Sequence, residues 1–203
     1  MIIFALAIVA AYLTGSIPTS FLAGKIIRGI DLRNHGSGNL GATNAFRVLG
    51  WKTGLAVLFV DIMKGVIPVV FFPLIVFKSG FTGINVQNMA LIMGLFAIIG
   101  HIFTIFMHFR GGKGVATSIG VFAALAPFAF LIVLPVCVGL IALTRYVSAG
   151  SLAGAILLPL SVILIYSDRI PLIMFSVMIG IIIVIRHRAN IQRLLKGNEN
   201  KIF

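Results

Sequence analysis

The sequence predicts an all-α protein, a polytopic integral membrane bundle of seven transmembrane helices forming a single membrane-embedded domain over residues 1–203. Hydrophobic residues make up 60% of the chain and charged residues only 10%, where soluble proteins carry roughly a quarter. The mean hydropathy is +1.17. Long apolar runs recur along the chain, and the basic residues between them are unevenly distributed, which indicates an orientation in the membrane.

Apolar runs occupy residues 2–27, 53–77, 89–107, 115–143, 149–166 and 170–186. A helix needs about 20 residues to cross a bilayer, so the last two runs are near the lower limit. The run 115–143 is long for one span and contains Pro127 and Pro135. It predicts either one kinked helix or two short helices in a hairpin. The first run lacks the basic start and cleavage site of a signal peptide, so we expect a retained helix.

Charge between the runs decides the topology. Basic residues surround the first loop, mark the loop after the third run at Arg110 and Lys113, and fill the tail after residue 186. Such segments are typical of the cytoplasmic side. Two crossings within 115–143 place the tail there as well. We therefore expect seven spans, with the N-terminus outside and the C-terminus cytoplasmic; five spans is the alternative if the middle is re-entrant.

The chain is strongly basic, with 16 Lys and Arg against 4 Asp and Glu and a net charge of +12. Part of this excess reflects topology, and the remainder indicates anionic membrane lipids or a phosphorylated ligand. Nucleic acid is not an expected partner, because most of the 17 Phe lie inside apolar runs rather than on a basic exposed face. The single cysteine, Cys137, excludes a disulfide within the chain.

One polar segment, residues 36–47, combines glycines with hydroxyl, amide and guanidinium groups. Its backbone N–H groups and neutral side chains suit phosphate, and its arginine adds a fixed charge. The candidate residues are Gly36, Ser37, Gly38, Asn39, Gly41, Thr43, Asn44 and Arg47. The segment matches a dinucleotide-binding pattern, but it follows a membrane helix rather than a strand. A flexible connector is the alternative, which the interleaved polar residues disfavour.

A second polar segment follows the third apolar run. It supplies Gly111, Gly112, Lys113, Gly114, Thr117 and Ser118 as candidate phosphate-binding residues. It fails the P-loop pattern, because Met107 replaces the first glycine and a glycine follows Lys113. The alternative is a basic flank with a turn. A binding role is favoured by the start of the next helix, whose N–H groups and dipole attract anions.

The tail and the second run hold the other candidates. His187 and Asn190 are three residues apart and would share a helix face if the last span continues past the membrane interface, with Arg193 nearby. A structural hydrogen bond explains a lone histidine equally well. Within the second run, Asp61 and Lys64 have helical spacing and predict a buried or interfacial ion pair.

The scarcity of acidic residues limits the reaction mechanisms that the protein could use. Only Asp31, Asp61, Asp168 and Glu199 are acidic, which argues against a two-carboxylate mechanism or a carboxylate-rich Mg²⁺ site. We expect no metal and no cofactor. No His is followed four residues later by Asp, as acyl-CoA-dependent glycerolipid acyltransferases would require, and the aspartate-rich signature of CDP-alcohol phosphotransferases is absent. A metal-free reaction on phosphorylated substrates remains.

Three motifs together resemble one family, the bacterial acyl-phosphate:glycerol-3-phosphate acyltransferases of the PlsY type. They are Gly-Ser-Gly-Asn-Leu-Gly-Ala-Thr-Asn from residue 36, Gly-Gly-Lys-Gly-Val-Ala-Thr from residue 111, and Arg-His-Arg-Ala-Asn-Ile-Gln-Arg-Leu from residue 186. The segments that begin at Asp61 and Arg145 also look like family features. The resemblance extends over essentially the whole chain.

The resemblance implies transfer of a fatty acyl group from acyl phosphate to the 1-hydroxyl of glycerol 3-phosphate, giving 1-acylglycerol 3-phosphate and phosphate. It implies Ser37, Arg47, Lys113, His187 and Asn190 as catalytic residues, with Arg145 and Arg193 among the phosphate-binding residues. It further implies a bacterial inner-membrane protein whose site faces the cytoplasm, without an obligate protein partner. The base is either His187 or an oxygen of the acyl phosphate, and the lack of an orienting carboxylate favours the latter.

Two other functions fit parts of the pattern. A transporter or channel for a phosphorylated metabolite would also use glycine-rich loops and cations, but it should place polar groups near the bilayer midplane. The polar groups here cluster at one predicted face. A scaffold that binds anionic lipid would tolerate Ser→Ala changes in the loops. The pattern therefore favours an interfacial enzyme.

Overall fold

The computed structural model describes residues 1–202, in which all regular secondary structure is helical. The all-α prediction is thus confirmed. The chain divides into two compact units, Met1–Leu125 and Ala126–Phe203.

The first unit contains six α-helices and two 3₁₀ turns. The helices are α1 (Ile2–Ser16), α2 (Thr19–Arg28), α3 (Ala42–Leu49), α4 (Trp51–Lys78), α5 (Val86–Ile102) and α6 (Val115–Leu125), and the turns are Leu32–Asn34 and Ile105–Met107. The second unit contains α7 (Pro127–Thr144), α8 (Val147–Ile165), α9 (Ile170–Arg186) and α10 (Arg188–Leu195).

Four helical segments of the described chain are long and apolar enough to cross a membrane: α4, α5 with the turn that follows it, α7 and α8. Two bent pairs, α1 with α2 and α9 with α10, raise the number to six if each pair is one span. Helix α6 has 11 residues, fewer than the roughly 17 that a full crossing needs.

The sequence pattern predicted one helix for the first apolar run, but the run forms two helices. Helix α1 ends at Ser16, Pro18 follows, and α2 departs at 41°. The physical reason is that proline has no N–H to continue the helical ladder and clashes with the preceding turn. The break leaves the carbonyl of Ile17 outside the regular helix, where side chains of other helices can reach it.

The run 115–143 forms two helices rather than one kinked helix. Helix α6 ends at Leu125, and α7 begins at Pro127 after Ala126, whose φ is −140°. Proline disfavours helical geometry in the residue before it and is well suited to the first turn of a helix. Pro135, by contrast, lies inside α7.

The last span does not continue straight into the tail. Helix α9 ends at Arg186, His187 lies between the two helices, and α10 departs at 60°. The condition under which His187 and Asn190 would share one helix face is therefore not met. His187 has φ −98° and ψ 7°, a turn conformation that redirects the chain.

Glycines allow the helices of the first unit to pack closely. A Cβ atom added to Gly15 of α1 would overlap the carbonyl oxygen of Ala97 on α5. Similarly, a Cβ at Gly120 of α6 would overlap the carbonyl oxygen of Ile62 on α4. Small residues that let backbones approach are the usual packing device of membrane helices. These contacts hold α5 and α6, whose ends flank the second polar segment.

Candidate functional site

The first polar segment is a loop built around one buried amide. Asn44, in the first turn of α3, is 1% exposed. Its Nδ2 donates to the carbonyls of Leu32 and His35, each at 3.1 Å, and its Oδ1 accepts the N–H of Ser37 at 2.9 Å. All three partners lie in this segment or directly before it in the chain. Asn44 thus shapes the loop, which the sequence pattern alone did not distinguish from ligand contact.

Two glycines of this loop adopt left-handed backbone conformations. Gly36 has φ +61° and Gly38 has φ +69°. A side chain at Gly36 would overlap Oδ1 of Asn44, so glycine is required there by space as well as by conformation. The loop therefore depends on Gly36 and Asn44 together.

The other candidates of the first segment lie nearer solvent. Ser37 is exposed, while Asn39, Thr43 and Arg47 are half-buried. Gly41 precedes α3, so the first N–H groups of that short helix are directed toward the same loop. A hydroxyl, backbone N–H groups and a guanidinium thus occur within one short segment of the first unit, a combination suited to a phosphate group.

The second polar segment folds back onto the end of α5. The N–H of Gly111 donates to Ile102 O and the N–H of Gly112 to His101 O, each at 3.0 Å. These bonds satisfy two of the last carbonyls of α5. Lys113 follows and is half-buried, and Gly114 turns into α6 with φ +87°.

Thr117 and Ser118 lie in the first turns of α6, as predicted, but their side chains are buried. They are 0% and 4% exposed, and neither hydroxyl has a hydrogen-bond partner within residues 1–202. The Ser118 N–H donates to Gly114 O at 2.8 Å. These two residues therefore lie deeper in the first unit than Ser37 and Lys113.

The structure brings the two glycine-rich segments together. A Cβ atom at Gly112 would lie 2.9 Å from Leu40 O of the first loop, and it would overlap Nε2 of His101. Gly112 is thus enclosed between the first loop and the end of α5. The two predicted phosphate-binding segments form one continuous feature of the first unit.

In the second unit, His187 is held by its own helix. It is 2% exposed, and Nδ1 lies 2.8 Å from the carbonyl of Ile183. A carbonyl only accepts, so Nδ1 carries the ring proton of the neutral imidazole, and Nε2 is then a hydrogen-bond acceptor. The sequence lacked a carboxylate to orient this ring, and a backbone carbonyl performs that task.

Asn190 and Arg193 contact an acidic residue that the sequence interpretation passed over. Glu199 Oε1 accepts from Asn190 Nδ2 at 2.7 Å and from Ser148 Oγ at 3.2 Å, and Oε2 accepts from Arg193 Nε at 2.7 Å. Glu199 thus ties the tail to α8 and α10. The available signal was its position, since it is the one acidic residue in a basic tail.

Burial alone would raise the pKa of Glu199, but hydrogen bonds from Arg193 and Asn190 and the charge of Arg193 lower it below its ordinary value of 4.5. Arg145 ends α7 in a left-handed conformation with φ +63°, and its carbonyl accepts the N–H of Ile202 at 2.9 Å. The Arg145 side chain is exposed. The tail is therefore anchored at two points of the second unit.

The predicted pair of Asp61 and Lys64 is present and buried, with Nζ 2.8 Å from Oδ1. A histidine that the sequence interpretation did not single out, His101 of α5, joins it, with Nδ1 3.3 Å from Lys64 Nζ. The only available signal was a histidine inside the third apolar run, residues 89–107. Within residues 1–202, no cluster of three His, Cys, Asp or Glu could hold a metal ion.

Comparisons with known proteins agree over nearly the whole chain. A family model described as glycerol-3-phosphate acyltransferase matches residues 5–197. A glycerol-3-phosphate acyltransferase of Chlorobaculum parvum is 42% identical, covering 100% of this chain and 97% of the relative. One of Trichlorobacter lovleyi is 46% identical, covering 96% and 95%.

Solved structures agree as well. A crystal structure of PlsY, an integral membrane glycerol 3-phosphate acyltransferase, in its glycerol 3-phosphate form has a TM-score of 0.83 with 39% identity, covering 98% of this chain and 94% of that one. The lysophosphatidic acid form of PlsY matches with the same TM-score and 38% identity. With its apolar helices and its two glycine-rich loops, the chain belongs to the glycerol-3-phosphate acyltransferase family of integral membrane proteins.

Proposed function

We propose that the protein transfers a fatty acyl group from acyl phosphate to the 1-hydroxyl of glycerol 3-phosphate in phospholipid biosynthesis. The products are 1-acylglycerol 3-phosphate and inorganic phosphate. The observation that carries this proposal is the contact between the two glycine-rich loops, where Gly112 lies against Leu40 O. The proposed substrate contacts Ser37, Arg47 and Lys113 belong to these two segments. Both substrates carry phosphate, which such loops bind through backbone N–H groups and cations.

The chemistry needs positioning more than strong activation. The glycerol oxygen attacks the acyl carbon, the bond from that carbon to the phosphate oxygen breaks, and phosphate leaves with the electron pair. Charge develops on the acyl oxygen and on the departing phosphate, where Lys113 and Arg47 would stabilise it. Ser37 and the glycine N–H groups would hold a phosphate in line.

We assign the hydroxyl proton to an oxygen of the acyl phosphate, with His187 and Asn190 as substrate contacts. The proton is thereby carried away by the leaving phosphate. Support comes from the burial of His187 and from its Nδ1 bond to a carbonyl rather than to a carboxylate. Arg145, Arg193, Thr43, Asn39 and the glycines of both loops complete the proposed phosphate-binding set.

His187→Ala discriminates between the two bases. Loss of a general base lowers turnover by about 10²-fold or more, with substrate binding intact. The substrate-assisted mechanism predicts a smaller fall in kcat and a raised KM. A fall of 10²-fold in kcat at unchanged KM would assign the proton to His187 instead.

The proposal includes a topology. Seven spans would place the N-terminus outside and both glycine-rich loops and the tail in the cytoplasm of a bacterial cell; they are α1 with α2, α4, α5, α6, α7, α8 and α9. The 11-residue α6 is short for a crossing, so the bilayer would have to be locally thin around it. Support comes from the distribution of basic residues and from the separate helices α6 and α7. The whole chain would then act as a single membrane-embedded domain in the inner membrane.

One assay tests the function directly. Purified protein is mixed with acyl phosphate and glycerol 3-phosphate, and release of phosphate and formation of the acylated product are measured. Acyl-CoA replaces acyl phosphate in a parallel reaction. We expect product with acyl phosphate as the donor and none with acyl-CoA. No product with acyl phosphate would reject the acyltransferase assignment. Equal activity with acyl-CoA would reject acyl phosphate as the specific donor.

A further inference from the structure

A buried cluster of Asp61, Lys64 and His101 lies directly beneath the junction of the two glycine-rich loops. The three residues are 1%, 3% and 6% exposed. They come from α4 and α5, and none of them is among the proposed substrate contacts. Burying charged groups in a membrane helix bundle costs more free energy than filling the same space with apolar residues. The presence of these three groups therefore indicates a specific function.

The ammonium of Lys64 has three partners of different chemistry. Nζ donates to the carbonyl of Ile17 at 2.8 Å, lies 2.8 Å from Oδ1 of Asp61, and lies 3.3 Å from Nδ1 of His101. The Ile17 carbonyl is the one exposed by the break between α1 and α2. Lys64 therefore joins that break to α4 and α5.

The same contact sets the proton position on His101. An ammonium group only donates, so Nδ1 of His101 accepts, and the ring proton of the neutral imidazole is on Nε2. Nε2 is the atom that a side chain at Gly112 would overlap. His101 thus presents an N–H group to the second loop, and its backbone carbonyl accepts the N–H of Gly112 at 3.0 Å.

Gly112 is in turn the point where the second loop meets the first, at Leu40 O. A small cavity of about 10 Å³, room for about one water molecule, is lined by Asp61, Lys64, His101, Leu40 and Gly112. The cluster and both loops therefore share one polar space. A shift of the His101 ring would move Gly112, and with it the neighbouring Lys113.

We infer that Asp61, Lys64 and His101 are positioning residues that set the two glycine-rich loops at the separation needed to bind phosphate. Asp61 holds Lys64, Lys64 orients the His101 ring, and the ring and backbone of His101 place Gly112 against the first loop. This inference rests on the proposed function, since it assigns the loops as the phosphate-binding element.

The test compares His101→Leu with His101→Gln, whose amide can replace a ring N–H. Tyr12→Phe is the matched control, because Tyr12 Oη donates to Phe103 O at 2.7 Å at the same end of α5, and Tyr12 is not among the residues that line the small cavity. Thermal unfolding in detergent checks folding. Two further measurements are made: the KM and kcat with each substrate, and the shift of the unfolding temperature caused by glycerol 3-phosphate.

For His101→Leu we expect a folded protein whose KM for at least one phosphorylated substrate rises about tenfold, with kcat much less affected and a smaller thermal shift. His101→Gln should recover part of the substrate affinity, as a lower KM, and part of the thermal shift. Tyr12→Phe should match the wild type in both measurements. Unchanged KM and thermal shift in folded His101→Leu, or equal KM effects in Tyr12→Phe, would overturn the inference. If His101→Leu does not fold, His101→Phe takes its place, because its ring has no N–H group: a raised KM supports the inference, and wild-type constants overturn it.

The thermal shift separates this inference from the proposed function. A wild type that is stabilised by glycerol 3-phosphate but forms no product would reject the acyltransferase assignment. A reduced shift in His101→Leu would then still support the positioning role. An active wild type with an unaffected His101→Leu variant would reject the positioning role alone.

Discussion

Individual side chains in the first loop divide into those that shape it and those that face solvent. Asn44 uses its whole amide inside the loop, so it acts on function through the loop backbone. Ser37 and Arg47 are more exposed and remain the predicted substrate contacts. The distinction matters for mutagenesis, because loss of activity in an Asn44 variant reports on loop shape rather than on binding.

Arg47→Ala and Ser37→Ala should abolish activity without unfolding the protein. Loss of a group that stabilises developing charge lowers kcat by about 10²-fold or more. Product formation and thermal unfolding measure the two effects separately. Arg33→Ala is the matched control just before the same loop, because the Arg33 side chain is exposed, forms a surface ion pair with Asp31, Nη2 to Oδ2 at 2.6 Å, and lies over the Phe21 ring. A folded, active Arg47→Ala variant would move the site elsewhere.

Glu199→Gln should destabilise the protein by about 1–3 kcal/mol, because it removes a charged acceptor of buried hydrogen bonds. The pKa of Glu199 is lowered in the folded state, so the unfolded state binds more protons. Its stabilisation is therefore present above pH 4.5 and is lost as pH falls below that value. Thermal unfolding at pH values from about 3 to about 7 measures both the loss of stability and its dependence on pH.

The control for this pH dependence is Asp31→Asn. Bonding to Arg33 lowers the pKa of Asp31 from 3.8 to about 2, so its contribution begins to be lost only below pH 3.8, a lower onset than the 4.5 of Glu199. Glu199→Gln should flatten the stability curve just below pH 4.5, whereas Asp31→Asn should not. An identical pH profile in wild type and Glu199→Gln would contradict the role assigned to the tail carboxylate.

At the scale of the helices, close glycine contacts place the loops. Helix α6 begins directly after the second loop, and Gly120 and Gly65 hold it against α4. The break at Pro18 similarly brings the Ile17 carbonyl to Lys64. Helix ends, rather than helix faces, thus carry the candidate site.

Gly120→Ala should destabilise the protein, because its Cβ would overlap the Ile62 carbonyl and the α4 backbone must shift. Overpacking of this kind costs about 1–3 kcal/mol. Gly139→Ala in α7 is the control, since no atom lies within 4 Å of an added Cβ there. Thermal unfolding of both variants is the measurement. Equal unfolding temperatures would show that α6 tolerates displacement from α4.

At the scale of the whole molecule, the predicted orientation can be tested with single cysteines. Cys137→Ala removes the only cysteine, after which Thr82→Cys or Lys196→Cys supplies one. Both positions are exposed. The basic tail should lie in the cytoplasm and the loop after α4 outside. A membrane-impermeant maleimide should therefore label Thr82→Cys in intact spheroplasts, and Lys196→Cys only after lysis.

Labelling of both cysteines in intact spheroplasts would contradict this orientation and would leave an even number of crossings between residue 82 and the tail. A permeant maleimide is the control for accessibility at each position. The result bears on the seven-span proposal, because a single crossing within residues 115–143 would place the tail outside, whereas two crossings place it in the cytoplasm.

Amino-acid composition and local pattern determined the helical membrane class and the positions of the polar loops. Apolar content reports on lipid exposure, and glycine or proline spacing reports on local backbone geometry. The pair of Asp61 and Lys64 was predictable for the same reason, since their spacing is local. The three polar motifs together indicated the family.

Only the tertiary structure decided which distant residues meet. His101 joins Lys64 across 37 positions, and Glu199 reaches Ser148 across 51. The burial of Asn44, Thr117 and His187 likewise depends on packing. The physical reason is that hydrophobic and charge patterns report on solvent and neighbours along one helix, whereas contacts between helices depend on how their surfaces fit together.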